Sequence, residues 1–450
     1  MDCREARAVV SGTLQRAVSR VSGDNIISPF RGIRYQAAES RDLSTRIAPP
    51  YDVISESLSA ELRAGDPHNF VRVELPEAHE ADTEEANRYT RAAATLQNWL
   101  SRGVLIRDEG ASFYILEQEF SLEGRSWRRR GVFALVRLPE KGERYVLSHE
   151  GTLAAPKADR LRLLQTCQMA TSPILMIAED SGQQLAGLLG RTHGEPAATA
   201  QDSDGVMHRL WARQEADYLG AIREAVGPGP LFIADGHHRF ETAVTCRDGM
   251  RRMLPQAAPE AAFNYALALI ASAGDETLRI LPTHRLICGL GKAGVARMKE
   301  AMRARFEVEE RPLADAGEVQ LSSPEPGRHV LGAYCGDARY YVLRAGEELT
   351  PAGASAVASL DVSVLHDHLI DPVLATLHRQ PKLTYVTDES QAMAAVDRGE
   401  CDFAFFLRPT RVSEVLAVAR AGDRMPGKST YFYPKAPAGL VISDASAEPI

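Results

Sequence analysis

Four absences narrow the reading of this 450-residue sequence. No apolar stretch approaches the roughly 20 consecutive residues that a membrane-spanning helix needs. The first residues, MDCREARAVVSGTLQRAVSR, mix charge with apolar positions and contain no secretory h-region. The six cysteines (Cys3, Cys167, Cys246, Cys288, Cys335 and Cys401) show no CxxC spacing, so they form no zinc knuckle and give no disulfide framework. No long Lys/Arg run occurs; the densest is Arg128-Arg129-Arg130, and 52 basic against 60 acidic residues leave a formal charge of -8. Proteins that neutralise many duplex phosphates carry a basic face. General nucleic-acid binding is therefore disfavoured, while a local pocket for a small anion is not. The expectation is a cytoplasmic protein with neither a membrane nor a nucleic-acid partner.

The chain is too long for one hydrophobic core, and its ordinary globular composition predicts two or three structural units. Strand-like and helix-like segments alternate, which predicts an α/β or mixed α+β fold. Residues 1–25 read as an amphipathic extension. Residues 26–145 read as an N-terminal α+β unit, 146–300 as a central α/β unit and 301–450 as a C-terminal α/β unit. Helical spacing in 83–101 stops at Gly103. FYILEQEF and RRGVFALVRL predict a hairpin turning at Glu123-Gly124. SPILMIAED, PLFIADG and NYALALIAS read as buried strands, with helices starting near Lys157 and near Phe240. LTYVTDESQAMAAVDRGECDFAFFL reads as strand, helix, strand.

The sharpest chemical signal is LFIADGHHRFETA. A buried strand delivers Asp235 and Gly236 to its carboxyl end, where open α/β sheets place ligands. Gly236 permits a tight turn and close approach of backbone N–H groups to an anion. His237, His238 and Arg239 add donors beside a helix N-terminus, whose dipole also favours negative charge. Arg239 suits phosphate through its planar fork of donors. The alternative is an ordinary strand-to-helix turn with two surface histidines.

Two further segments join it. His149-Glu150, followed by Thr152, Lys157, Asp159 and Arg160, offers a general base and anion clamps, or else a solvated helix start. Gly427-Lys428-Ser429-Thr430, with Gly422 five residues earlier, imitates a P-loop. Tyr431-Phe432-Tyr433-Pro434 continues as extended chain, which excludes the helix a P-loop requires, yet Lys428, Ser429 and Thr430 remain candidates for a phosphate or substrate loop. Weaker candidates are Tyr51-Asp52, His284-Arg285 and the segment holding His366, Asp367, His368 and Asp371, which reads as a wet helix face rather than a metal site. Magnesium held mainly by phosphate would leave little trace in sequence.

Taken together, SPFRG, PPYDVI, HNFVRVELP, the HE-x-T segment with PKADR, ADGHHRFETA, LPTHR and MPGKSTYFYPK resemble the prokaryotic family catalogued as domain of unknown function 1015, over residues 26–442. The DGHHR segment is similar to the signature of the ParB/sulfiredoxin superfamily, which includes a free-serine kinase. The resemblance implies a ParB/sulfiredoxin-like core and a phosphotransferase acting on a small hydroxylated metabolite such as L-serine. It further implies ATP, ADP or pyrophosphate as donor, with Mg2+ held through phosphate. By position, Gly236, His237, His238 and Arg239 would hold the donor phosphates. Asp235, Glu241 or Glu150 would act as base, with His238 among the catalytic groups. His149, Thr152, Lys157, Arg160, Lys428, Ser429 and Thr430 would complete a three-part anion pocket. Two other functions are compatible with the same residues: a phosphate-ester hydrolase, or a non-catalytic nucleotide-binding regulator of ParB type. The chain departs from the family at Met169-Ala170-Thr171-Ser172-Pro173, where an asparagine is usual before Ser-Pro, and at Ala438-Gly439-Leu440 in place of Ser-Gly-Leu.

Overall fold

Alternation of large apolar side chains in residues 113–137 produces the longest hairpin of the protein. Strand β1 (Phe113–Leu122) pairs antiparallel with β2 (Arg125–Arg137), placing Tyr114 opposite Phe133 and Ile115 opposite Val132. The two residues between them, Glu123 at φ 51° and Gly124 at φ 72°, are both left-handed. That geometry matches the right-handed twist of a two-residue hairpin. The computed structural model describes residues 25–450 except 37–40, 192–193, 228, 320, 322–327, 347, 352 and 378–379. The expected extension, apart from Asn25, thus lies outside the described residues.

The hairpin belongs to a first unit formed by residues up to 148, 152–278 and 434–450. Its nine-stranded mixed sheet continues from β2 to β6 (Tyr265–Ser272), then β3 (Ile174–Ala178), then β5 (Leu231–Asp235). On the other side, β1 pairs with β4 (Met207–Arg213). Strands β3 and β6 run parallel, while β3 and β5 run antiparallel. Every second residue enters one core: Ile115, Val132, Ala134, Met176, Ile233 and Ile270 are all within 1% of full burial. Helix α3 (Ala216–Val226) covers this face with Tyr218, Ile222 and Val226, spaced one helical turn apart. Helix α1 (Arg88–Ser101), capped by Asn87, contacts α2 (Ala154–Cys167), which packs against α4 (His237–Met253).

Residues 149–151 and 279–433 form a second unit with its own core. Six antiparallel strands lie in the order β8 (Glu307–Pro312), β10 (Arg339–Ala345), β9 (His329–Tyr334), β12 (Phe403–Phe406), β7 (His284–Cys288) and β11 (Lys382–Val386). The Tyr340 ring stacks on Phe406 at 5.5 Å and crosses Gly332, where a Cβ would lie 2.7 Å from the tyrosine Cζ. Glycine is required there by contact alone. The strand–helix–strand reading of 382–407 corresponds to β11, a helix at Glu389–Asp397 and β12.

Mixed α/β architecture is thus the observed fold, but several details differ from expectation. The divisions at 145 and 300 do not coincide with the units, because β1 and β2 share one sheet with β3, β5 and β6. Of the segment read as a wet face, Asp367 and Asp371 are exposed and His368 is half-buried, whereas His366 is buried with Val362, Val364, Leu365, Leu369 and Ile370. Cys288 and Cys401, 113 residues apart, are joined in a disulfide that no sequence spacing signalled. Tyr431–Tyr433 is extended and pairs with Arg279–Leu281, as the aromatic run predicted. Among the described residues no helix is long and apolar enough to cross a membrane.

Candidate functional site

In the first unit, β5 ends on Asp235 after a slip in its pairing with β3 between Ile233 and Asp235. Such irregularities re-aim a side chain at a strand end. Gly236 follows at φ 91°, and α4 begins at once with His237, three residues before the predicted Phe240. Glycine at 236 is fixed twice. An L side chain disfavours this φ, and a Cβ would lie 3.0–3.1 Å from Nε, Cζ and Nη2 of Arg239. The guanidinium is folded back over the turn, where Nη2 meets Asp235 Oδ2 at 2.7 Å and Nη1 donates to the Pro173 carbonyl.

Asp235 holds a second cation through its other oxygen, Oδ1, which pairs with Lys435 Nζ. The backbone that presents Lys435 is itself held from the sheet. Gln118 donates to the Lys435 carbonyl at 2.9 Å, and Arg129, 1% exposed, donates to Gln118 and to the Pro434 carbonyl. Burial pushes the Arg129 pKa down to about 10, against the countervailing charges of Asp275 and Asp235. Burial would raise the pKa of Asp235, but Lys435 and Arg239 outweigh it and hold the carboxyl below its usual range. Arg239, Lys435 and Arg129 thus surround one carboxylate at the end of β5, with Asp275 the other acid facing Arg129. Asp52 and Glu74 also act on Arg239, so these cations stand among several acids. The first turn of α4 contains no acid, leaving its backbone N–H groups and dipole to favour an anion.

One turn further along, Glu241 accepts from Thr152 Oγ1 at 2.6 Å and from Lys157 Nζ at 3.0 Å. Burial alone would raise its pKa; these two partners lower it below the ordinary value. His238 Nε2 accepts from the Leu153 N–H at 2.9 Å, so the start of α2 is tied to the start of α4. Arg160, 5% exposed, donates to the Glu74 carbonyl at 2.7 Å and to Asp159, and lies 4.2 Å from the Tyr51 ring. Glu74 is fully buried and satisfied by Thr171 at 2.8 Å and Ser172 at 3.0 Å. Burial, with Asp52 nearby, pushes the Tyr51 hydroxyl up to about 12.

The remaining nominated residues meet in the second unit. His149 Nε2 lies 3.2 Å from Thr430 Oγ1, and the His149 carbonyl accepts from the Met425 N–H at 2.8 Å. Glu150 Oε1 accepts from the Lys428 N–H at 3.3 Å, while the Lys428 carbonyl accepts from Arg285 at 3.2 Å. Lys428, at φ 57°, is thus pinned by its main chain on both sides. Ser429 donates to the Pro426 carbonyl, and Thr410 to the Ser429 carbonyl at 3.1 Å. Glu150 and His149 here anchor a loop.

Sequence reasoning found the DGHHR turn and its link to Thr152 and Lys157. It gave no role to Lys435 or Arg129. The one signal was Asp235 itself, a strand-end carboxylate needing more countercharge than Arg239 supplies.

No curated relative matches the chain. Among solved structures it is similar to a free serine kinase in complex with AMP, at 14% identity over 70% of this chain and 92% of that one, with a TM-score of 0.37. It is also similar to a conserved hypothetical protein from Pyrococcus furiosus, at 16% identity over 70% and 95% of the two chains, TM-score 0.34. SbnI with C-terminal truncation from Staphylococcus aureus aligns at 12% identity over 70% and 88%, TM-score 0.36. These are distant likenesses. The family described as protein of unknown function (DUF1015) matches residues 27–363, well over half of the sequence, and the chain belongs to that family.

Proposed function

We propose that the protein is a small-molecule phosphotransferase, a kinase that phosphorylates the hydroxyl of a small metabolite, with free L-serine as the leading acceptor. ATP, ADP or pyrophosphate would be the donor. The observation that carries this reading is Arg239 folded over Gly236 at the start of α4, with Lys435 on the same Asp235. Phosphoryl transfer needs positioning and charge neutralisation more than covalent help from the protein. This turn supplies both.

In this scheme the amides of residues 237–239 and the Arg239 and Lys157 side chains hold donor oxygens. Asp235, with both oxygens in ion pairs, positions Arg239 and Lys435 and does not act as base. Glu241, whose side chain is 42% exposed, orients the acceptor hydroxyl. The acceptor oxygen attacks the terminal phosphorus, the bond to the leaving phosphate breaks, and the proton passes to Glu241. His238 fixes the α2 start that carries Thr152 and Lys157. Arg160, saturated by Glu74 and Asp159, serves as a packing cation. Lys428, Ser429 and Thr430 lie in a loop of the second unit anchored by His149 and Glu150, and have no part in this scheme. The donor set fits magnesium held chiefly by phosphate, since Glu241 is a partly exposed carboxylate in this cluster. Bound there, the ion would neutralise phosphate charge.

Phosphorus NMR tests the reading. Protein is incubated with magnesium, each donor and a panel of hydroxy amino acids; a new phosphomonoester is the expected product. Inorganic phosphate released without an acceptor would replace the kinase by a hydrolase. Nucleotide binding without turnover would leave a regulatory binding protein.

A further inference from the structure

Three polar side chains lie in one row across the sheet of the first unit. Pairing places His208 of β4 opposite Gln118 of β1, and Gln118 opposite Arg129 of β2. Side chains directly opposite share one face of a sheet, and all three are buried. His208 has no part in the scheme above, yet the row leads to Lys435, whose ammonium pairs with Asp235.

The direction of each hydrogen bond in the row is fixed by its ends. An arginine side chain only donates, and a backbone carbonyl only accepts. The Gln118 atom that meets Arg129 Nε at 3.1 Å is therefore the amide oxygen, and the NH2 group faces the Lys435 carbonyl at 2.9 Å. The second proton of that NH2 group points to His208 Nδ1, 3.3 Å away. Nδ1 must accept, so the proton of the neutral ring sits on Nε2, which donates to Asp202 Oδ2 at 2.8 Å. Asp202 is held in turn by its own loop: Oδ1 accepts from the Asp204 N–H at 3.0 Å and the Val206 N–H at 2.9 Å. A proton on Nδ1 would set two donors against each other. Turning the amide over only moves that conflict to Arg129, and sets the amide oxygen against the Lys435 carbonyl. Unmade bonds of this kind are costly in a buried network.

We propose that His208 and Gln118 are positioning residues of the Asp235 site. His208, kept as the Nε2–H tautomer by Asp202, orients the amide that holds Lys435 in place. The consequence for turnover rests on the phosphotransferase reading; the positioning itself does not.

The test uses the full chain labelled at its histidine ring nitrogens, with the His208 signals assigned by their loss in His208→Asn. At neutral pH, Nδ1 of His208 should be unprotonated and Nε2 protonated; a proton on Nδ1 overturns the proposal. Reductive methylation followed by mass spectrometry reads the hold on Lys435. Gln118→Glu still accepts from Arg129 but leaves the Lys435 carbonyl without its donor, and His208→Leu leaves the amide unoriented. Both variants should be methylated at Lys435 roughly threefold faster than wild type, with Lys157 of the same unit unchanged. His208→Asn, which keeps an acceptor near the place of Nδ1, should stay close to the wild-type rate. Wild-type rates at Lys435 in Gln118→Glu and His208→Leu overturn the proposal, as does an Asn variant as fast as the Leu variant. In turnover, Gln118→Glu should lower kcat about tenfold and leave the acceptor KM within about twofold. A wild-type protein that forms no phosphomonoester removes the transferase reading alone; the histidine tautomer and the Lys435 rates then decide the positioning.

Discussion

Gly236 and Arg239 form a single device, so each should fail in a characteristic way. Gly236→Ala forces an L residue to φ 91° and drives its Cβ against the guanidinium. The expected cost is about 1–2 kcal/mol in chemical denaturation, together with at least a tenfold loss of phosphoryl transfer. Arg239→Lys keeps the charge but cannot reach both Asp235 and the Pro173 carbonyl. A hundredfold loss of turnover is expected, with the circular dichroism spectrum retained; near-normal turnover in this variant would remove Arg239 from the site. Asp235 also writes itself into the acid limb of stability. Its folded pKa lies below the unfolded value of about 3.9, so its contribution is complete above that pH and is lost as pH falls further. Asp235→Asn should flatten this limb and cost roughly 3 kcal/mol near neutrality, since two cations lose their acid. These residues were legible in part. The run Asp235-Gly236-His237-His238-Arg239 is local and shows itself in sequence, whereas Lys435 is 200 residues from its partner and Arg129 looked like one of three hairpin arginines.

Elements carry a different kind of information. The hairpin around Glu123-Gly124 was readable because alternation and turn chemistry are both local. Its left-handed Glu123 predicts that Glu123→Asn stabilises the fold by about 0.5–1 kcal/mol, measurable as a higher denaturation midpoint. Strand β7 offers a pH signature. His284 is buried beside Phe406, with Nδ1 accepting from the Leu407 N–H, and burial and Arg285 push its pKa down to about 4. An unfolded histidine takes up its proton near pH 6.5. Stability from His284 is therefore complete above about pH 6.5 and declines as pH falls toward 4. His284→Asn should make the stability of the second unit flatter across that interval. Helix starts were read less well: α4 begins at His237 because Gly236 caps it in a left-handed conformation, a tertiary fit that propensity does not report. The face of Asp367, His368 and Asp371 was legible from its charged letters, whereas the burial of His366 was not, because it comes from apolar neighbours on the other side of the segment.

At the scale of the whole chain, two cores imply two transitions in calorimetry. The Cys288–Cys401 bond lies in the second unit, so reductant should lower that unit's transition by about 2–4 kcal/mol of stability and leave the first unchanged. Division into units was the least legible property of all. Both are assembled from separated stretches of chain, and sequence gives order along the chain rather than membership of a sheet.

That discontinuity has a consequence for biosynthesis. Lys435, and the Ser443–Asp444 strand that pairs with Met169–Ala170, arrive only after the entire second unit has been translated. Domains fold as they emerge from the ribosome. Here Asp235 lacks its lysine until residue 435 has emerged. A nascent chain stalled at residue 433 therefore lacks one of the two cations that pair with Asp235.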